Sequence, residues 1–214
     1  MSEYTLVEID ASSYTDWVYF SFSTGEIVDI ESPEDSNEWD LGLMRNHFRT
    51  NSGLSGSGFG GAYVDSTSTW TDNWDSIIEV PNGATFSPDG MLTTIYDIET
   101  HYFSDTPGSL VLETWGWVDI DNNYQFNYNN YIFIVRTAAG EYVKFWPYSY
   151  YNDQDFSGHI SIAYETSIPN NNCNNSADVN YDNILNILDV IMIRDHIIGL
   201  SSLSSSQQCQ ADIN

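Results

Sequence analysis

Short runs of β-forming residues, each followed by turn residues, fill the chain from residue 4 to about residue 167. The runs are rich in aromatic and β-branched side chains, and none shows the 3.6-residue period of an amphipathic helix. Turn-forming residues separate them, as in STGE, SPDG and NDQDFSG. The stretch FIVRTAAGEYVKF is typical of a hairpin in which Gly140 provides the positive φ of the turn. We therefore predict a mainly β fold, with antiparallel sheets, over residues 1–169.

The charge balance excludes two classes of partner. The chain has 31 acidic and only 5 basic residues, which give a formal net charge of −26. A charge of this sign repels nucleic-acid backbones and anionic lipid surfaces. The sequence also lacks a run of 18 apolar residues that could form a membrane-spanning helix. We expect neither nucleic-acid binding nor membrane insertion.

A change in composition near Pro169 marks a domain boundary. The asparagine-rich segment 167–177 separates the β-rich part from residues 170–214, where the hydrophobic pattern changes. In this second part, NILDVIMIRDHIIG predicts a helix that ends at Gly199, a residue typical of a helix C-cap. Apolar residues cover more than one side of this helix, so the helix requires packing partners. Residues 170–214 are predicted to form a small loop–helix tail.

A twelve-residue frame directly before the predicted helix has the spacing of an EF-hand-like calcium loop. Calcium prefers six to eight oxygen ligands, which such loops supply from positions 1, 3, 5, 7, 9 and 12. In DVNYDNILNILD these positions hold Asp178, Asn180, Asp182, Ile184, Asn186 and Asp189, with Ile184 contributing its backbone carbonyl. Position 6 is Asn183 where glycine is usual, but asparagine also adopts the left-handed conformation. We predict that the six residues bind Ca²⁺; the alternative is a metal-free turn that caps the helix.

The segment ADVNYDNILNILDVIMIRDHIIG (177–199) resembles one repeat of a type I dockerin module. Such modules consist of two calcium-binding loop–helix repeats that pack together and dock onto cohesin-type partners. ADIN (211–214) resembles the start of a second loop, so we expect a half-dockerin whose calcium loop binds more weakly without its twin. If the two loops sit side by side, Cys173 and Cys209 lie close together. We predict a disulfide between them and, with it, an extracellular setting.

Three segments of the β-rich part resemble the HmuY family of all-β haem-binding proteins. They are WVYFSFSTGEIV (17–28), the stretch from WDLGLM to GFGGAY (39–63), and the stretch from YIFIVRT to AYET (131–166). The resemblance covers about residues 10–167 and implies a secreted or cell-surface protein. It also implies that haem is held between side chains from two neighbouring loops.

The same resemblance indicates where haem ligands are expected. Met91, in SPDGM, stands at the position of the first family ligand. The second is expected shortly after Trp117, in VDIDNNY, but this stretch contains neither histidine nor methionine, the usual axial ligands. His101, on the same segment as Met91, is the substitute that the sequence offers. Met91 and His101 are therefore the candidate haem-binding residues.

Two further questions stay open at this point. No nucleophile or metalloprotease motif occurs in the β-rich part, so we predict a binding protein and not an enzyme.

The alternative to haem is a carbohydrate-binding or adhesion module carried by the dockerin-like tail, with sugars stacking on exposed tryptophans. The candidates for such stacking are Trp70, Trp74, Trp115, Trp117 and Trp146.

Three arginines lie in strand-like, apolar surroundings, at positions 45, 49 and 136. One interpretation is that they bind an anion such as the haem propionates. The other is that they form ion pairs with nearby carboxylates such as Asp40, which makes a buried charge tolerable. The sequence favours the second interpretation, because the chain has many more acids than bases.

Overall fold

The computed structural model describes residues 4–96, 102–170, 177–182 and 184–211. In chain order its strands are β1 (Thr5–Asp10), β2 (Val18–Ser21), β3 (Glu26–Val28), β4 (Leu41–Met44), β5 (His47–Thr50), β6 (Gly61–Thr69), β7 (Gly90–Tyr96), β8 (Phe103–Gly108), β9 (Gly116–Asp119), β10 (Gln125–Tyr128), β11 (Tyr131–Arg136), β12 (Tyr142–Tyr151) and β13 (Ser157–Glu165). Its helices are α1 (Trp70–Asn73), α2 (Ile187–Ile197) and α3 (Ser205–Gln210). The mainly β fold predicted from the sequence is confirmed.

The strands of the body form two larger antiparallel sheets. A five-stranded sheet has the order β1-β13-β12-β11-β6, and a four-stranded sheet has the order β3-β2-β4-β5. The predicted hairpin joins β11 and β12: Gly140 has φ of +85°, and its N–H donates to Thr137 O at 3.0 Å. The sequence did not indicate β6, whose first residues follow the glycine-rich loop without a turn signal.

The main core combines apolar side chains from both larger sheets. Phe20, Leu41 and Phe48 come from the four-stranded sheet, and Phe133 and Phe145 from the five-stranded sheet. Strand β11 is also covered on its other side, where Ile134, Tyr142, Val80 and Ile168 form a second cluster. This double burial explains the uninterrupted apolar run in β11, which differs from the alternation of a half-exposed strand.

The glycine-rich loop before β6, within residues 51–60, is closely packed. A Cβ atom at Gly58 would lie 2.8 Å from the carbonyl oxygen of Asn51, and one at Gly60 would lie 2.5 Å from it. Asn51 is fully buried, and its side chain donates to Ser36 O and Trp39 O. The glycines allow the loop to wrap around this asparagine; they do not form a phosphate-binding site.

Two smaller hairpins project from the body: β7 pairs with β8, and β9 pairs with β10. The tail contains the predicted helix as α2, with Asn186 as N-cap and with Gly199 at φ of +75° just after its last residues. The tail is closed by a hydrogen bond from Ala177 N to Gln210 O. None of the helices in the described part of the chain is long and apolar enough to cross a membrane.

Candidate functional site

Met91, the predicted first haem ligand, lies near the start of the β7–β8 hairpin. It stands opposite Pro107 in the strand register, and its side chain is 43% exposed. Its neighbour Leu92 is buried and packs with Met44 and Trp17 below the hairpin. Met91 is therefore partly accessible to solvent, while the neighbouring Leu92 anchors the strand. The other candidate, His101, lies outside the described residues, and its role stays a prediction.

The β9–β10 hairpin carries the second expected ligand position. Four apolar or aromatic side chains on it are exposed: Trp117, Val118, Ile120 and Tyr124. Its turn is held by local hydrogen bonds, from Asn122 N to Asp119 O and from Asp121 N to the Asp119 carboxylate. Both hairpins thus present apolar surface to solvent, and an exposed apolar surface of this kind is typical of a binding site.

The segment 109–115 connects the two hairpins and is fastened to β5 and the turn before it. Ser109 N donates to Phe48 O at 2.9 Å, and Trp115 Nε1 donates to Asn46 O at 2.9 Å. Glu113 Oε2 lies 2.9 Å from His47 Nδ1. His47 therefore has a structural role, in agreement with its position in a predicted strand. The roots of both hairpins are held at the same edge of the four-stranded sheet.

Arg49 fixes the hairpin that carries Met91, a role that the sequence did not indicate. Its guanidinium donates to Pro107 O at 2.9 Å and to Thr106 Oγ1 at 2.7 Å, and it lies 3.8 Å from the ring centre of Trp17. The partners on β8 are 57 and 58 residues away in the chain. No local pattern could have connected residues so far apart.

Within the part of the chain that the structure describes, Arg45, Arg49 and Arg136 are in none of the ion pairs that the sequence favoured. Arg45 donates to Ser157 O and Oγ, and Arg136 donates to Gly60 O. Asp40, the proposed partner, accepts instead from the backbone N–H groups of Phe22 and Ala138, both at 2.9 Å. Burial raises the pKa of Asp40, although these hydrogen bonds oppose the rise. The expected pairing with Asp40 was wrong, because backbone carbonyls and hydroxyl groups accept the hydrogen bonds of these guanidinium groups.

A cavity of about 330 Å³ lies away from both hairpins. It opens between the β2–β3 turn, the β11–β12 turn and the segment after β13, with Ser21, Asn37, Glu38 and Glu141 among its lining residues. Neither Met91 nor any residue of the β9–β10 hairpin lines it. The exposed surface of the hairpins, and not this cavity, is therefore the better candidate for a large apolar ligand.

Haem requires apolar contacts and one or two axial ligands. The exposed apolar side chains of the two hairpins and the sulfur of Met91 fit this requirement. The β9–β10 turn, in contrast, offers no histidine or methionine. Tyr124, the last residue of that turn, belongs to another residue class that ligates haem iron, and its side chain is exposed. The donor set thus fits in part, with a sulfur on one hairpin and a phenol on the other.

Most of the tryptophans considered for sugar stacking are not available for it. Trp115 and Trp74 are buried, and Trp70 stacks on Trp146 with ring centres 4.1 Å apart. Trp117 is 52% exposed, and it lies on the β9–β10 hairpin. Of the five candidates, Trp117 is therefore the one that is well exposed for stacking on a sugar. It also belongs to the surface considered for haem.

The predicted calcium loop is wound so that its candidate ligands contact one another. The Asn180 side chain donates to the Asp182 carboxylate at 2.9 Å, and Asp182 N lies 3.2 Å from Asp178 Oδ1. The Asn186 side chain donates to Ile184 O at 3.0 Å. Hydrogen bonds between residues two to four positions apart therefore link these five candidate residues along the loop.

Asp189, the sixth candidate, closes the loop from the first turn of α2. Its carboxylate accepts from Val179 N, Asn180 N and Asn186 N, at 2.8, 3.2 and 2.9 Å. Burial raises the pKa of this carboxyl, but the backbone hydrogen bonds outweigh burial, so the net pKa is lowered. Backbone N–H groups, that of Asp189 included, thus occupy most of the about four lone-pair positions of this carboxylate.

Two predictions about the tail are not tested by the structure. Among the described residues, no cluster of three or more His, Cys, Asp or Glu side chains could hold a metal ion. The proposed loop depends on amide and carbonyl oxygens beside its three aspartates, so calcium binding stays a prediction. Cys173 lies outside the described residues, and the side chain of Cys209 is likewise not described, so the disulfide also stays a prediction.

Comparisons with known proteins agree on the body of the chain. The family model described as HmuY protein matches residues 13–164. Among solved structures, a candidate HmuY-like haem-binding protein from Bacteroides vulgatus is 20% identical, with a TM-score of 0.60 over 75% of this chain and 90% of its own. The apo HmuY analogue of Tannerella forsythia is 18% identical, with a TM-score of 0.59 over 78% of this chain and 97% of its own.

A third neighbour is a candidate lipoprotein from Bacteroides fragilis. It is 21% identical, with a TM-score of 0.59 over 75% of this chain and 88% of its own. At these identities the structural neighbours establish the fold and not the ligand. No curated protein sequence matches the chain.

Proposed function

This chain belongs to the HmuY family, and from that membership we propose that its β body binds haem on the exposed surface of the β7–β8 and β9–β10 hairpins. The observation that carries the proposal is Met91, a residue that is 43% exposed on a hairpin that Arg49 fixes. The Bacteroides vulgatus neighbour is described as a candidate haem-binding protein, which supports the same ligand here. We propose a binding protein without catalytic activity.

We further propose that the protein acts outside the cell or at its surface. One structural neighbour, from Bacteroides fragilis, is described as a candidate lipoprotein. The net charge of −26 suits such a protein, because it keeps molecules apart from one another in solution. The cysteine pair predicted to form a disulfide points to the same setting.

The test of haem binding is a haemin titration followed by the Soret absorption band. We expect wild-type protein to shift the band at micromolar haemin, and Met91→Ala to weaken binding by about tenfold or more, which is about 1.4 kcal/mol or more. Met192→Ala in α2 is the matched control, because it makes the same change in the tail. A wild-type spectrum equal to that of free haemin would contradict haem binding. Equal affinities of the two variants would remove Met91 from the site.

For the tail we propose a calcium-dependent attachment module of the dockerin type. The mutual contacts of the loop ligands favour it, as does the surface of α2, where Ile187, Val190 and Ile197 are all more than half exposed. Large apolar side chains in such exposed positions are typical of a protein interface. The partner proposed for this surface is a cohesin-like protein.

Calcium binding is tested by isothermal titration calorimetry on the chelator-treated chain. We expect a saturable heat at up to millimolar Ca²⁺, and Asp178→Ala to raise the dissociation constant by about tenfold or more, since a charged ligand is lost. Asp153→Ala removes the same charge from an exposed turn of the body and is expected to leave binding unchanged. Absence of heat with wild-type protein would sink the calcium proposal.

A further inference from the structure

Arg136, the last residue of β11, is a buried cation in the β body. Its side chain is 7% exposed, and Nη2 donates to Gly60 O at 3.2 Å. The ring of Tyr181 lies 4.4 Å from its guanidinium carbon, and the ring of Phe86 lies at 5.6 Å. Tyr181 belongs to the tail, where it occupies position 4 of the calcium loop. One face of a buried guanidinium is therefore covered by a residue of the other domain.

The charge of Arg136 is compensated by the tail as well. No ion pair within 4.0 Å in the described part of the chain includes this residue. Burial lowers its pKa, while Tyr142 of the body and Tyr181 and Asp178 of the loop raise it. A cation–π contact is stronger when the cation is desolvated than when it is exposed to water. The loop thus covers the guanidinium group of Arg136 with an aromatic ring.

The contact between the tail and the β body extends beyond Arg136 and Tyr181. The ring of Tyr181 also meets Phe59 edge-on, with ring centres 6.5 Å apart. A Cβ atom at Gly140 would lie 3.4 Å from Ser204 Oγ and 3.8 Å from the Tyr181 ring, so the β11–β12 turn fits closely against the tail. A Cβ atom at this turn would thus be in van der Waals contact with the tail.

The tail meets the body as one unit. The side chain of Gln207 in α3 is buried and donates to Val179 O, which ties this helix to the calcium loop. The hydrogen bond from Ala177 N to Gln210 O joins the two ends of the same unit. Movement of the loop would therefore carry α3 with it.

We propose that Arg136, Phe59 and the Gly140 turn form a docking site for the calcium loop of the same chain, and that the state of the loop controls the stability of the β body. In its calcium-dependent part this inference rests on the proposed calcium binding. Tyr181 lies between two candidate ligands, Asp178 and Asp182, so an ion that gathers their oxygens also fixes the ring against Arg136. Binding energy gained in the tail is thereby transmitted to the body.

The distribution of tryptophan allows a direct test. All 7 tryptophans lie between residues 17 and 146, and all six candidate calcium ligands lie in the tail. Thermal unfolding followed by tryptophan fluorescence therefore reports on the body alone. We expect Ca²⁺ at about 100 times its dissociation constant to raise the wild-type midpoint by about 5–10 °C. Tyr181→Ala is expected to lose most of this shift while calorimetry still detects calcium binding.

The docking itself is tested without calcium. In the presence of chelator, Tyr181→Ala is expected to lower the tryptophan midpoint by about 3 °C or more, because Arg136 loses its aromatic cover. Leu185→Ala, a change in the same loop at a side chain that is 65% exposed, is the control and is expected to leave the midpoint unchanged. Binding heat in wild-type protein without any midpoint shift would overturn the inference. If calcium gives no heat at all, the calcium proposal fails, and the chelator experiment alone decides whether the loop docks.

Discussion

Replacement of Lys144 by alanine is expected to lower the free energy of unfolding of the β body by about 3–5 kcal/mol. Lys144 is fully buried in β12, and its ammonium group lies 2.8 Å from the Glu165 carboxylate. It also donates to Trp74 O at 3.0 Å and to Ile77 O at 2.9 Å. Alanine leaves these partners without their donor and creates a cavity in addition.

The location of Lys144 explains why the expected loss is large. Its two carbonyl partners lie in the segment that follows α1, and this segment covers the outer side of the five-stranded sheet together with Val80. The ammonium group also lies 4.4 Å from the centre of the Trp74 ring. Loss of the lysine therefore loosens the contact between this covering segment and the sheet, beyond the loss of one ion pair.

Chemical denaturation followed by tryptophan fluorescence measures the effect. Lys144→Met is the matched variant, because it keeps most of the volume and removes only the charge and the donors. We expect it to cost less than the alanine variant, by about the contribution of the cavity. A loss below about 1 kcal/mol for Lys144→Ala would contradict the structural role assigned to this residue.

Lys144 also illustrates why the fold was easier to predict than its long-range contacts. The alternation around it, with Val143 and Phe145 in the core, follows from residues adjacent in the chain, and the strand was predicted correctly. The same alternation places Lys144 on the outer side, where a lysine normally meets solvent. It is buried because a segment 67–70 residues earlier in the chain folds over it, and no local pattern records that contact.

The candidate sites show the same difference between local patterns, which the sequence reveals, and long-range contacts, which it does not. The frame of the proposed calcium loop was noticed because its candidate ligands occupy twelve consecutive residues, and local hydrogen bonds join several of these residues in the structure. The surface proposed for haem depends on two hairpins held by Arg49 and by segment 109–115, through contacts between residues far apart in the chain. The expected pairing of arginines with Asp40 failed for the same reason, because proximity in a strand pattern does not identify the partner of a buried charge.

Stability of the β body is expected to fall by about 3 kcal/mol between pH 5 and pH 8 because of Asp89. This carboxylate is buried beside the root of the Met91 hairpin, and burial raises its pKa to about 7 even though Thr50 donates to it from both its N–H and its hydroxyl. In the unfolded chain an aspartate has a pKa of about 3.9. Between these two pKa values the folded state binds one proton more than the unfolded state. The contribution of Asp89 to the free energy of unfolding is therefore largest below pH 4 to 5, and it decreases as the pH rises through 7.

The comparison of wild-type protein with Asp89→Asn isolates this effect. Asparagine keeps an acceptor for Thr50 N and can present its amide N–H to Thr50 Oγ1, but it does not ionise. The difference in unfolding free energy between the two proteins, measured by denaturant titration from pH 5 to pH 8, should therefore change by about 3 kcal/mol in favour of the variant. Asp10, Asp65 and Asp189 have lowered pKa values, so they titrate below this range and do not mask the change. Parallel stability profiles for the two proteins would show that Asp89 is already ionised in the folded state at pH 5. That result would contradict the assignment of a protonated Asp89 carboxyl at the root of the Met91 hairpin.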